Sequence, residues 1–153
     1  MAGSRVSSFS LRLFSSLIVE PSGKVIRATA AAAGAGAEAI AGTRGVITSF
    51  PGGIVASGSK VGCRNYRFPM PASTNHLLCP SLRGRIEGSL VPDGVGSIYE
   101  MVINGVDEKA VKNAMRKGIE AATGTGKVLF IGASNFEGKL GPHRFFLRGL
   151  FRP

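Results

Sequence analysis

Ser97–Ala133 reads SIYEMVINGVDEKAVKNAMRKGIEAATGTGKVLFIGA, and its hydrophobic period changes twice. Ser97–Ile103 alternates with a period of two, which predicts a strand with two different faces. From Asp107 to about Ala122 the apolar positions Ala110, Val111, Ala114, Met115, Gly118, Ile119 and Ala122 recur at i, i+1, i+4 and i+5, one stripe of a helix. Glu108, Lys109, Lys112, Asn113, Arg116, Lys117 and Glu120 make its wet face. Acid comes first and base later, as the helix macrodipole favours. Gly124 and Gly126 end the helix, and Lys127–Ala133 predicts the next strand.

Upstream, Lys24–Ala28 reads as a short strand. Ala30–Ala41 reads as a helix, although Gly34 and Gly36 each cost about 1 kcal/mol there relative to Ala. Gly42 stops it, and Gly45–Phe50 predicts a strand. Residues 51–96 are punctuated by Pro51, Gly52, Gly53, Pro69, Pro71, Pro80, Pro92 and Gly94, which predicts a long functional loop region with short strands at most. Downstream, His143–Leu147 predicts a final strand. The order is β-α-β, a long insertion, then β-α-β-β. It predicts an α+β fold: a ferredoxin-like split βαβ sandwich with a loop-rich insertion between the two βαβ units. The helices then cover one face of an antiparallel sheet and the other face is free.

A length of 153 residues suits one domain with a useful core. Aromatic content is 7% and Trp is absent, so the core must be built from Val, Ile, Leu and Ala. Residues 1–23 are expected to be poorly ordered, the remnant of an upstream region, with the domain at 24–150 and a tail at 151–153. The Ser- and Arg-rich start mimics an organellar transit peptide, which is the lesser reading. Leu13–Val19 is too short and Ser-broken to span a bilayer, so no membrane partner is expected.

The formal charge is +10, from 19 Lys and Arg against 9 Asp and Glu. Between Glu38 and Glu87 there is no acid, while Arg44, Lys60, Arg64, Arg67, Arg83 and Arg85 fall there. The window reads as a solvated basic loop or as an anion-binding surface. Cys63 and Cys79 show no CxxC spacing and no paired histidine, so neither a zinc site nor a disulfide framework is expected. Isolated reduced thiols suit a cytoplasmic location.

Four closely spaced stretches complete the reading: FPGGIVASGSKVG (Phe50–Gly62), PASTNHLLCP (Pro71–Pro80), IYEMVINGV (Ile98–Val106) and GASNFEGKLG (Gly132–Gly141). In order and at natural spacing, they resemble the C-terminal, distal lobe of the formylmethanofuran:tetrahydromethanopterin formyltransferases. The resemblance implies an acyltransferase of one-carbon metabolism that moves a formyl group between two coenzymes. Formylmethanofuran and tetrahydromethanopterin are then polyanionic substrates, no further cofactor is bound, and the positive surface has a purpose. It also implies a homo-oligomer, or a separate N-terminal lobe, since the family's enzymes are longer.

Glu100 stands in mid-strand, where charges are depleted. Alternation puts it on the face of Ile98 and Val102, opposite Tyr99, Met101 and Ile103. On that pattern alone it reads equally as a solvent-facing or edge residue; the resemblance implies a catalytic carboxylate. Formyl transfer from amide to amine requires proton removal from the attacking nitrogen and proton return to the leaving one, which a carboxyl group in a dry cleft performs. Ser57, Ser59 and Lys60 follow two glycines and read either as a carboxylate or phosphate cradle or as a tight turn into a strand. Ser73, Thr74 and Asn75 read as pterin or formyl contacts or as turn caps. Asn135 and Lys139 are similar, although Glu137 stands where the family usually has Gly.

Other signals fail. Gly34–Ala39 (GAGAEA) fits a dinucleotide fingerprint but lacks an acid about twenty residues on. Thr123–Val128 (TGTGKV) leads from helix to strand, the wrong way for a phosphate loop. His76 and His143 are lone histidines, and no metal site is expected. Two alternatives remain: a truncated, non-catalytic subunit that needs a separate N-terminal lobe, and a small basic RNA-binding protein. The second lacks the aromatic and glycine pattern of RNA-binding sheets, so nucleic acid is disfavoured.

Overall fold

A computed structural model describes residues 7–16, 24–57, 76–126, 128–134, 143 and 146–152. Its regular elements are β1 (Ser7–Ser16), α1 (Lys24–Ala41), β2 (Val46–Thr48), β3 (Val55–Ala56), β4 (Val95–Gly105), α2 (Glu108–Gly124) and β5 (Phe130–Ser134). β4 is the strand on which the sheet is built. β1 pairs along its length, from Ser7 opposite Gly105 to Ser16 opposite Val95. On its other side β4 takes β2 at Gly105–Ile103 and β3 at Glu100 and Tyr99. β5 pairs with β1, which gives the order β2-β4-β1-β5 with every pairing antiparallel.

The strand and helix read from Ser97–Ala122 form at the expected place, each extended by about a turn or a pleat. α2 begins because Asp107 caps it: the extended Asp107 accepts a hydrogen bond on Oδ1 from the Ala110 amide at 2.7 Å. Its stripe of Val111, Ala114, Met115, Gly118, Ile119 and Ala122 is buried. These side chains meet Ala33, Ala37 and Ile40 of α1 and Met101 and Ile103 of β4 in the main core. Small residues let the helices approach closely. A Cβ on Gly36 would lie 3.0 Å from the Gly118 carbonyl oxygen, and a Cβ on Gly118 would lie 2.8 Å from two carbons of Ile40. Gly36 is therefore a packing residue of α1, and its helix-propensity cost is offset by the contact it permits.

Three expectations are corrected. Lys24–Ala28 is the first turn and more of α1, not a strand. A short apolar run carries no clear period, and no breaker separates it from the alanine run that follows. Leu147–Leu150 is a 3₁₀ turn, and neither His143 nor Phe146 is in a strand. Residues three apart eclipse in such a turn, so Leu147 and Leu150 both face the main core. The segment read as a poorly ordered lead-in supplies β1, at the centre of the sheet. In sequence, Phe9, Leu11 and Leu13 alternate with Ser8, Ser10 and Arg12, a strand period that the Ser-rich composition masks.

The sheet face opposite the helices is not bare. Ile98 and Val95 pack there with Leu78 and Val91 from the loop-rich stretch, in a second small cluster. Arg83 ties that stretch together by pairing with Asp93 and donating to the Pro92 carbonyl. Among the described residues, no helix is long and apolar enough to cross a membrane.

One charged cluster sits at the start of α2. Glu108 pairs with Lys112 at 2.5 Å and with His143 Nδ1 at 3.2 Å. The Lys112 hydrogen bond holds the Glu108 carboxyl below its ordinary value of 4.5. A lowered folded value means that the ionised carboxylate stabilises the fold above the unfolded value, and that this is lost as pH falls through the lowered one. Melting temperatures of the wild type and Glu108→Gln should thus differ at neutral pH, approach each other below the ordinary value and converge once pH has fallen through the lowered one. A gap that stays constant on acidification would refute the pairing as a source of stability.

Candidate active site

The turn Pro51–Gly53 interrupts the chain after β2 and lets it resume in the same direction along the same edge of β4 as β3. Gly52 and Gly53 have φ of 67° and 77°, the left-handed region that glycine enters without strain. A Cβ on Gly53 would also lie 2.9 Å from the Ala37 methyl. The double glycine is thus a turn seated on α1. It serves the site by aiming β3 at the middle of β4.

There Val55 lies opposite Glu100 and Ala56 opposite Tyr99. The Ser57 amide continues the ladder to the Ile98 carbonyl at 2.8 Å. Its hydroxyl donates to Glu100 Oε1 at 2.9 Å. Ser57 is 7% exposed and Glu100 8%. Glu100 shares its face with Ile98, while Met101 and Ile103 point into the helix-side core. A buried carboxylate is costly unless its oxygens are hydrogen-bonded, and the Ser57 hydroxyl supplies one such bond.

Register brings three of the four sequence motifs into one transverse row. Glu100 on β4 lies between Val55 on β3 and Arg12 on β1, and Arg12 in turn lies opposite Gly132 on β5. The row crosses the IVAS, IYE and GAS segments. Of the residues expected at the site, Glu100 and Ser57 are joined directly. Ser59, Lys60, Ser73, Thr74, Asn75, Asn135 and Lys139 lie outside the described residues, as do Cys63, Arg64 and Arg67. The fourth motif resumes at His76–Leu78, whose Leu78 packs on Ile98 beside Glu100.

Sequence reasoning missed the central position of β1, which brings Arg12 into the row. The alternation of Phe9–Leu13 was the available signal. Two rejected motifs take ordinary roles: GAGAEA lies inside α1, with no loop for a phosphate, and TGTG closes α2. Cys79 is buried, its Sγ 3.1 Å from the Ser81 hydroxyl.

Two helices on one side of an antiparallel sheet, with a buried, hydroxyl-bonded carboxylate on the other, define a small mixed α/β domain. A family model described as "FTR, proximal lobe" matches residues 19–150, and the chain belongs to this formylmethanofuran–tetrahydromethanopterin formyltransferase family. The match is to the proximal lobe, not the distal lobe that the motifs suggested. The formylmethanofuran–tetrahydromethanopterin formyltransferase of Methanocaldococcus jannaschii is 56% identical over 122 residues, covering 78% of this chain and 40% of that protein. That of Archaeoglobus fulgidus is 53% identical over 121 residues, 79% of this chain and 40% of the relative. Among solved structures, the Methanosarcina barkeri formyltransferase superposes with a TM-score of 0.73 at 42% identity, over 93% of this chain and 45% of that one. The formyltransferase/hydrolase complex FhcABCD of Methylorubrum extorquens, solved with methylofuran, contains a chain with a TM-score of 0.72 at 35% identity, over 94% of this chain and 44% of that one. The chain thus spans about two-fifths of the length of the curated relatives it matches.

Proposed function

We propose that the chain is the proximal-lobe part of an acyltransferase that passes a formyl group between formylmethanofuran and tetrahydromethanopterin. The observation that carries this reading is the buried Ser57–Glu100 hydrogen bond in a chain 56% identical to such an enzyme. The amine of the acceptor coenzyme attacks the formyl carbon of the donor amide. Glu100 takes the proton from the attacking nitrogen and returns it to the leaving nitrogen as the old C–N bond breaks. Ser57 holds the carboxylate in line. No covalent nucleophile is required, because the two coenzymes meet directly.

Ser59, Lys60, Ser73, Thr74, Asn75, Asn135 and Lys139 contact the coenzymes in this reading. Each follows or precedes an element of the Glu100 row or its flanking loop. The coenzymes are substrates, and no resident cofactor is invoked. The lobe proper is 24–150, joined by β1, with 151–153 as a tail. The strand order β2-β4-β1-β5, with a helix in each crossover, supports the ferredoxin-like description. The enzyme acts in the cytoplasm as a homo-oligomer or with a separately supplied lobe.

The test mixes the purified chain with the remaining part of the Methanocaldococcus jannaschii relative and assays formyl transfer with both coenzymes. Transfer is expected in the mixture, against the intact relative as reference. If the mixture is inactive and the chain binds neither coenzyme, the proposal fails.

A further inference from the structure

A second concavity lies away from the Glu100 row. Past the Gly105 end of β4, between α2 and the loop that follows α1, runs an open groove of about 680 Å³. Its floor is apolar, made by Val106, Ala110 and Leu150, and its rim is cationic, made by Arg44, Lys109, Lys112 and Arg116. Lys109, Lys112 and Arg116 stand at i, i+3 and i+7 and so share one face of α2, over a rise of about 10 Å. Arg44 approaches from the loop across the groove. Among the described lining residues the acid is Asp107, and its carboxylate already caps α2 through the Ala110 amide. Lys112 is paired with Glu108, which leaves Arg44, Lys109 and Arg116 to set the sign of the groove.

With Lys112 offset by Glu108, three cations against one engaged carboxylate make the groove a sink for anions, strengthened by the positive end of the α2 dipole. The volume falls within the range of small-molecule pockets, roughly 300–1,000 Å³. The apolar floor gives no benefit to a bare inorganic ion, whereas a ligand with a hydrophobic body would bury Val106, which is 62% exposed. Glu100 points to the other side of the sheet, so an occupant of the groove does not touch the reacting atoms.

We propose that this groove binds a small organic anion carrying two or more negative charges on an apolar body, the chemistry of an aryl phosphate or an aromatic dicarboxylate. The test uses 1-naphthyl phosphate, titrated into the full chain and followed by amide NMR and calorimetry, with inorganic pyrophosphate as the charge-only comparison. The amides of Gly45, Val106, Ala110 and Leu150 should shift together and saturate. The double variant Lys109→Glu/Arg116→Glu should bind at least tenfold more weakly, and the milder Lys109→Gln/Arg116→Gln should lose less, in the same direction. All four substitutions fall on exposed positions of α2, and melting curves report whether the fold persists. Lys117→Glu/Arg85→Glu changes net charge equally outside the groove and should leave binding nearly unchanged. Equal losses in the two charge-reversal pairs would overturn the proposal, because the attraction would then belong to the whole +10 surface. So would pyrophosphate binding as tightly as naphthyl phosphate, or shifts that do not saturate.

Discussion

On the proposed assignment, Glu100→Gln should lower the turnover of formyl transfer by a factor of about 10²–10⁴, the contribution of a well-placed general acid–base, and leave coenzyme binding unchanged. Gln keeps the length of Glu and an oxygen that accepts the Ser57 hydroxyl, so the 2.9 Å bond and the β3–β4 join survive. What is lost is the capacity to take up a proton and release it. Ser57→Ala is the companion variant. It removes the donor but leaves the carboxyl, so its rate should fall less than that of the Gln variant. Both measurements are made on the assembly reconstituted with the remaining part of the enzyme. If the Gln variant turns over at the wild-type rate, the carboxylate assignment is wrong, although family membership stands without it.

Gly118→Ala lowers stability, against the usual sign of the exchange. In an open helix, replacing Gly by Ala gains about 1 kcal/mol. At position 118 the new methyl would sit 2.8 Å from both Cγ1 and Cδ1 of Ile40 and 3.3 Å from the Gly36 carbonyl oxygen. Ile40 is fully buried in the main core, so moving it aside would disturb its packed neighbours. Overpacking of this kind costs about 1–3 kcal/mol, so the clash outweighs the propensity gain. A domain of this size should then melt a few degrees lower, at about 2–4 °C for each kcal/mol. The decisive measurement is the double-mutant cycle with Ile40→Ala. In that background the methyl enters vacated space and Gly118→Ala becomes stabilising. If the substitution raises the melting temperature with Ile40 intact, the close helix crossing is not as described.

The parts of the fold that were legible in sequence are those with a sustained period. Ser97–Ile103 and Asp107–Ala122 showed alternation and a stripe long enough to outweigh any local ambiguity. Lys24–Ala28 is too short to reveal its period, and its continuity with the alanine run decided its state. β1 was hidden for the opposite reason: Phe9–Leu13 alternates well, but serine and arginine fill the intervening positions and resemble a disordered leader. At the site, alternation gave the face of Glu100 but not its burial. The partners that enclose it come from β3: Val55 lies opposite Glu100, and Ser57, 43 residues earlier in the chain, bonds to it. Those contacts depend on tertiary pairing, which no local pattern contains. The glycines of FPGG were read as a cradle or a turn, and only the packing of Gly53 on Ala37 separates the two.

β4 carries unlike requirements on its two faces, and this has a consequence for folding. A slip of one residue between β4 and its neighbours would exchange the faces, sending Glu100 among Met115 and Ile119 and turning Met101 outward. An ionised carboxylate left unpaired among apolar side chains costs several kcal/mol, comparable to the whole stability of a small domain. A chain with the sheet out of step therefore does not persist as an inactive but folded look-alike; it unfolds and tries again. The residue assigned to the proton shuttle also acts as a gauge for assembly, so Glu100→Met should yield a chain that folds with less discrimination between registers.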